Sequence, residues 1–160
     1  MDQDQLVDVY IAVGSNLGDR RRLIESGIAS IDSLASTSVV RVSTLIETEP
    51  VGPGSQGAYL NGAVHLKTSH DAQALLEALL SIEAEHGRDR KIEERWGARK
   101  LDLDILVFGD QHINIPGLII PHERMHERSF VLTPLCEIAA DLVIPGHKET
   151  PRGMLGVLGE

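Results

Sequence analysis

Aromatic side chains are scarce in this sequence, with two Phe, two Tyr and one Trp among 160 residues. A ring placed beside polar residues is therefore informative. Cysteine is limited to Cys136, which excludes an internal disulfide, and its apolar helical surroundings mark it as core. No apolar run approaches membrane-spanning length, and "MDQDQLVDVY" has none of the features of a signal peptide. A cytoplasmic chain that engages no membrane is expected. Cations are outnumbered, 15 Lys and Arg against 24 Asp and Glu. The resulting charge of −9 argues against broad nucleic-acid binding. What the sequence does have is a 42% apolar fraction rich in Leu, Ile, Val and Ala. Its length suits one domain over residues 1–160 with a full core, and neither a repeat nor a linker divides it.

Charge is unevenly distributed. "HGRDRKIEERWGARK", residues 86–100, holds six of the 15 Lys and Arg and only three acids. A cationic loop in an acidic protein points to a small anionic ligand.

Patterning gives the order of elements. "VDVYIAV" alternates as a strand, with Val7, Val9, Ile11 and Val13 on one face. "GSNLGD" is a turn, and Asp19 caps a helix carrying Leu23, Ile24, Ile28, Ile31 and Leu34. "VVRVSTLIET" is a second strand, and the Pro- and Gly-rich "EPVGPGSQGA" is a loop. "YLNGAVHLKT" is a third strand, with Leu60, Val64 and Leu66 on one face and Tyr59, Asn61, Ala63 and His65 on the other. Asp71 caps a second helix bearing Leu75, Leu76, Leu79 and Ile82, and Gly87 stops it. The cationic loop leads into "LDLDILVFG", where Leu101, Leu103, Ile105 and Val107 alternate with their neighbours. "GDQHINI" turns back as a short hairpin, "FVLTPLCEIA" is partly helical with Pro134 near its start, and the last fourteen residues show little pattern. The order β-α-β-β-α-β, with extra C-terminal elements, predicts an α+β, ferredoxin-like antiparallel sheet with its two helices on one face. The other face is then open to carry a site.

Asp102 and Asp104 are the unusual residues. Strands disfavour Asp, and carboxylates are costly to bury. At positions i and i+2 both project from one face, where a pair of hard oxygen donors suits Mg²⁺ bridging substrate phosphates. The adjoining arginines complement phosphate. The plain alternative is an edge strand with salt bridges to Arg99 or Lys100. "HERMH", residues 122–126, matches the zinc-hydrolase pattern His122-Glu123-x-x-His126, but Pro121 allows a helix only to begin there. "GSNLG" lacks the Lys of a P-loop and the third Gly of a dinucleotide fingerprint, and reads better as a tight strand-to-helix turn. Tyr59, Trp96 and Phe130 lie beside polar segments, where stacking on a flat heterocycle competes with ordinary packing. Asn61 can both donate and accept, as an aminopyrimidinone edge requires.

Together, "YIAVGSNLGDR", "ETEPVG", "YLNGAV", "IEAEHGRDRK", "ERWGARKLDLDILVFG", "IPHERMHERSFVLTPLCEIA" and "LVIPG" resemble the 6-hydroxymethyl-7,8-dihydropterin pyrophosphokinase family over most of the chain. The resemblance implies a ferredoxin-like fold and transfer of the diphosphate of ATP to the pterin hydroxymethyl group, giving AMP. It implies two Mg²⁺ ions on Asp102 and Asp104, and catalytic roles for Arg88 and Arg99. It places Glu83, Arg88, Trp96, Arg99, Ile105, His122 and Arg128 at ATP. It places Thr48, Glu49, Pro50, Val51, Tyr59, Asn61, Trp96 and Phe130 at the pterin, with Tyr59 and Phe130 sandwiching it. It implies small-molecule substrates, no nucleic acid, no membrane, and a monomer. Glu123 stands where the family often has an aromatic or a proline, and the cationic loop is one residue longer than the family's spacing. A ferredoxin-like module binding RNA or a regulator is the remaining alternative. The negative charge opposes RNA, and a regulatory module has no need of paired Asp beside an arginine loop.

Overall fold

The computed structural model describes residues 5–16, 18–48, 58–87 and 100–159. Its central strand is β1 (Val7–Ser15), in which Val9, Ile11 and Val13 turn to one side and are buried. The strand runs through Gly14 and Ser15, two residues that the sequence pattern assigns to the following turn. In the turn after the strand, Gly18 takes the left-handed backbone, at φ 78°. On one side β1 pairs antiparallel with β4 (Tyr59–Thr68) and on the other with β5 (Asp102–Phe108). The sheet order is β2-β4-β1-β5, with β2 (Thr37–Val42) and β3 (Ile46–Thr48) both antiparallel to β4. Helix α1 (Arg20–Asp32) connects β1 to β2, and α2 (Ala72–Glu85) connects β4 to β5. This is the expected ferredoxin-like arrangement. Both predicted caps form: the Asp19 carboxylate accepts from the Arg22 N–H at 3.4 Å, and that of Asp71 from Ala74 at 2.8 Å. Among the described residues no helix is long and apolar enough to cross a membrane.

The expected single strand over 39–48 is interrupted. At the break, Ser43 Oγ accepts from the Ala63 N–H at 2.8 Å, and the Glu137 carboxylate takes the Thr44 N–H and hydroxyl at 3.0 and 2.6 Å. Side chains thus replace ladder bonds for a few residues. The break also lays Leu45 against Gly62, where a Cβ would meet Leu45 Cδ2 at 2.6 Å.

The two faces of the sheet bury separate cores. Val9, Ile11, Val13, Leu66 and Phe108 pack with Ile24, Ile31, Leu75, Leu79 and Ile82 of α1 and α2. Tyr10, Ala63, Leu106 and Val107 pack beneath α3 (Ser129–Ala139) and α4 (Pro151–Val157). The face opposite α1 and α2 is therefore largely covered, and a cavity remains at one end of it. Helix α4 lies in the tail that shows little pattern; Thr150 caps it by accepting the Gly153 N–H at 3.2 Å. Helix α3 begins at Ser129, so Pro134 lies inside it rather than near its start. Proline lacks the N–H that the Phe130 carbonyl would receive, but it is buried in the second core, and packing prevails over propensity. The predicted hairpin also shifts. It forms between β6 (Ile113–Ile115) and β7 (Leu118–Ile120), turning at Gly117 with φ 84°.

Strand β5 breaks its own alternation. Its register against β1 shifts between Ile11 and Tyr10, a β-bulge that turns Leu106 and Val107 both toward α3. Val107 thus leaves the face it was expected to share with Leu103 and Ile105. Just before β5, the fully buried Leu101 fills the space over Gly27 of α1. We expect Leu101→Ala to cost about 2–5 kcal/mol, read as a lowered urea midpoint with an unchanged slope.

Candidate active site

Asp102 and Asp104 stand on the α3 side of β5 because their neighbours Leu103 and Ile105 are drawn into the core beneath α1 and α2. Facing them across the β1 register are Gly14 and Ala12, the two smallest side chains available. Small residues there leave open space over the carboxylates. The space is a cavity of about 400 Å³ with Asp102 and Asp104 on one side and Thr48, Tyr59 and Asn61 on the other. Arg128, Phe130 and Val131, at the start of α3, close it from above.

The polar wall is internally ordered. Asn61 Nδ2 donates to Thr48 Oγ1 at 2.8 Å, which fixes the amide and leaves its oxygen toward Gly14. A Cβ at Gly14 would meet the Tyr59 ring at 3.1 Å and Asn61 Oδ1 at 3.2 Å. Glycine is therefore what lets Tyr59 lie close over β1. Opposite, the Arg128 guanidinium lies 5.9 Å from the centroid of Phe130, a cation–π distance.

A second cavity, of about 320 Å³, opens on the other side of Asp104. Its walls combine Leu76, Ile105 and Ile119 with the polar Asp104, His122 and Glu123. Asp104 lines both cavities, so the two spaces meet at one carboxylate.

His122 is held by its backbone, whose N–H donates to the Leu106 carbonyl at 2.9 Å. Its Nδ1 accepts the Arg124 N–H at 3.2 Å, which leaves the neutral ring its proton on Nε2. Burial, aided by the Arg128 charge, lowers its pKa below the ordinary imidazole value, and Glu123 and Asp102 oppose the shift. Glu83 lies on the far side of β5, buried at 1% exposure. Its Oε2 accepts the Leu103 N–H at 2.7 Å, between the two aspartates. Glu83 thus bears on the site through the strand and lines neither cavity.

The residues expected at a flat heterocycle (Thr48, Tyr59, Asn61 and Phe130) share the first cavity, and Ile105 and His122 share the second. Arg128 borders the first cavity and not the second. Arg88, Trp96, Arg99, Glu49, Pro50 and Val51 lie outside the described residues. The sequence reading misses Ala12 and Gly14, although continuing the alternation of "VDVYIAV" by one residue puts both on the site face. The His122-Glu123-x-x-His126 pattern does not form one helical face. His122 precedes a 3₁₀ turn at Met125–Glu127, and His126 is paired 3.5 Å from Glu127. Among the described residues no group of three or more His, Cys, Asp or Glu could hold a metal.

A sequence profile described as 7,8-dihydro-6-hydroxymethylpterin-pyrophosphokinase (HPPK) matches residues 10–140. The chain belongs to this family. Among curated relatives, it is 43% identical to the 2-amino-4-hydroxy-6-hydroxymethyldihydropteridine pyrophosphokinase of Pseudomonas aeruginosa, over 89% of this chain and 87% of that one. It is 48% identical to the Bacillus subtilis protein of the same name, over 81% of this chain and 76% of that one. In fold it resembles the crystal structure of Plasmodium falciparum HPPK-DHPS with pteroate, at a TM-score of 0.75 and 14% identity. That alignment covers 98% of this chain and 43% of the larger one. Membership of the HPPK family removes the zinc-hydrolase alternative.

The lowered His122 pKa has a definite sign. The unfolded ring takes up a proton as pH falls through about 6.5, while the folded ring resists it. This contribution to stability is present above that pH and is lost on acidification toward the folded value. NMR should find the His122 midpoint below the ordinary imidazole value of about 6.5, and His122→Gln should flatten the loss of stability below pH ~6.5. A midpoint at or above the ordinary value would mean that Asp102 and Glu123 outweigh burial.

Proposed function

We propose that the chain carries out the family's reaction of folate synthesis with ATP and 6-hydroxymethyl-7,8-dihydropterin. The β,γ-diphosphate passes to the pterin hydroxymethyl oxygen and AMP leaves. The observation that carries this reading is the joint cavity: a space bounded by Tyr59, Phe130, Asn61 and Thr48 and a second space beside Ile105 and His122 share Asp104 in their walls.

In this reading the pterin lies between Tyr59 and Phe130, with its aminopyrimidinone edge toward Asn61 and Thr48. The adenine side of ATP takes the second cavity, beside Ile105 and Ile119, so the phosphates pass over Asp104. His122 and Arg128 flank that path, and Arg128 supplies a permanent positive charge beside it. Arg88, Arg99 and Trp96 serve as catalytic and closing residues over the phosphates, and Glu49, Pro50 and Val51 contribute to the pterin side. Glu83 acts through its hold on Leu103, fixing the height of the two carboxylates.

The donor set suits magnesium: two hard carboxylates from one strand face, half-buried, leaving positions for water and phosphate oxygens. Asp102 and Asp104 would hold it, as two ions. Bound there, magnesium would supply positive charge against the phosphates during transfer. The chain's own part is positional. Holding two substrates end to end removes most of the entropy cost of their meeting, and transfer of this kind needs placement and charge more than covalent help. The working unit is one domain over residues 1–160, acting as a monomer in the cytoplasm.

With ATP, Mg²⁺ and the reduced pterin, the protein should release AMP and no ADP. Appearance of ADP, or no reaction, refutes the assignment. Asp102→Asn and Asp104→Asn should each lower kcat on the order of a thousandfold, with an unchanged circular-dichroism spectrum. Turnover near that of the wild type in either would remove the metal role.

A further inference from the structure

Helix α1 opens with Arg20, Arg21 and Arg22, and its first turn contains no acid. Cations at a helix N-terminus oppose the helix dipole. Arg21 and Arg22 are exposed, but Arg20 is turned toward the sheet and is half-buried. Its Nη1 donates to the Ala58 carbonyl at 2.6 Å, and its Nη2 pairs with Glu47 Oε1 at 2.7 Å. Glu47 lies in β3, and Ala58 directly precedes β4. One guanidinium therefore joins two chain segments beside the Thr48–Tyr59 rung, the last of this ladder among the described residues.

That rung belongs to the first cavity. Thr48 and Tyr59 both line it, and Thr48 is the acceptor that orders Asn61. Arg20 does not line the cavity. With Glu47 59% exposed, the ion pair adds little to global stability. What the fork supplies is geometry: its two donors point in fixed directions, and a lysine cannot copy them.

We infer that Arg20 is a positioning residue for the pterin, a guanidinium clamp that sets the height of Thr48 and Tyr59 in the wall facing Phe130. This rests on the function proposed above. Without the clamp the last rung frays, Tyr59 loses its fixed position over Gly14, and the flat space loosens. The nucleotide cavity lies across Asp104 and contains none of these residues, so the defect is confined to one substrate.

Steady-state kinetics on the full chain, with the reduced pterin and Mg-ATP varied in turn, tests this. Arg20→Ala and Arg20→Met should raise KM for the pterin by about tenfold, the scale of losing one charge-assisted hydrogen bond. KM for ATP and the thermal midpoint should stay near the wild-type values. Arg20→Lys should recover only part of the loss, and Glu47→Gln, which leaves the Ala58 bond, should show a smaller loss than Arg20→Ala. An unchanged pterin KM in Arg20→Ala overturns the inference, as does an equal rise in both KM values, which would make Arg20 a general prop of the fold. Wild-type protein that forms no AMP overturns the function itself, and this inference with it.

Discussion

Three carboxylates crowd a three-residue length of β5. Asp102 and Asp104 point to one face, separated by about 6.6 Å of strand, and Glu83 grips the Leu103 backbone from the other. Like charges so close repel, and partial burial strengthens the repulsion. The surrounding design follows from it. Gly14 and Ala12 keep the opposite strand low, Arg128 brings a cation from α3, and the aspartates face an open space that charged ligands can enter. The leucine between them is fixed by a hydrogen bond to a charged acceptor, the stronger kind. Their directions are therefore set before anything binds.

The bulge in β5 divides the second face of the sheet into a polar end and an apolar end. Up to Asp104 the strand presents carboxylates to that face, and beyond it Leu106 and Val107 turn there together. A regular strand would offer only one of that pair. The doubled apolar contact seats α3, and α3 in turn carries Arg128, Phe130 and Val131 to the cavity mouth. One irregular residue thus separates the site from the core and also attaches the element that roofs it.

Much of this could be read directly from the sequence. Period-two patterning gave the direction of Tyr59, Asn61, Asp102 and Asp104, because a strand's alternation depends only on the chain itself. Caps at Asp19 and Asp71 were equally local. Features that depend on a distant partner were less accessible. The break between β2 and β3 requires Glu137, 93 residues away from Thr44. The turning of Val107 requires a register shift against β1, and Pro134 is tolerated inside α3 because it is buried in a core that the local sequence does not reveal. The covering of the second face was missed for the same reason: α4 has too short an apolar pattern to announce a helix. His122-Glu123-x-x-His126 shows the converse error, a spacing that carries chemistry only on a helix that does not form there.

Helix α3 is pinned at its far end as well. Glu137 receives both hydrogen bonds from Thr44, which hold its carboxyl below the usual carboxylate range, and the Ile138 carbonyl accepts from Arg41 at 3.5 Å. Its near end carries Phe130. The helix is therefore held at three places: at Glu137 and Ile138 by the sheet margin, along its length by Leu106 and Val107, and at Phe130 beside the cavity. The separation of Phe130 from Tyr59 thus depends on bonds made at the opposite end of the rod, to Thr44 and Arg41.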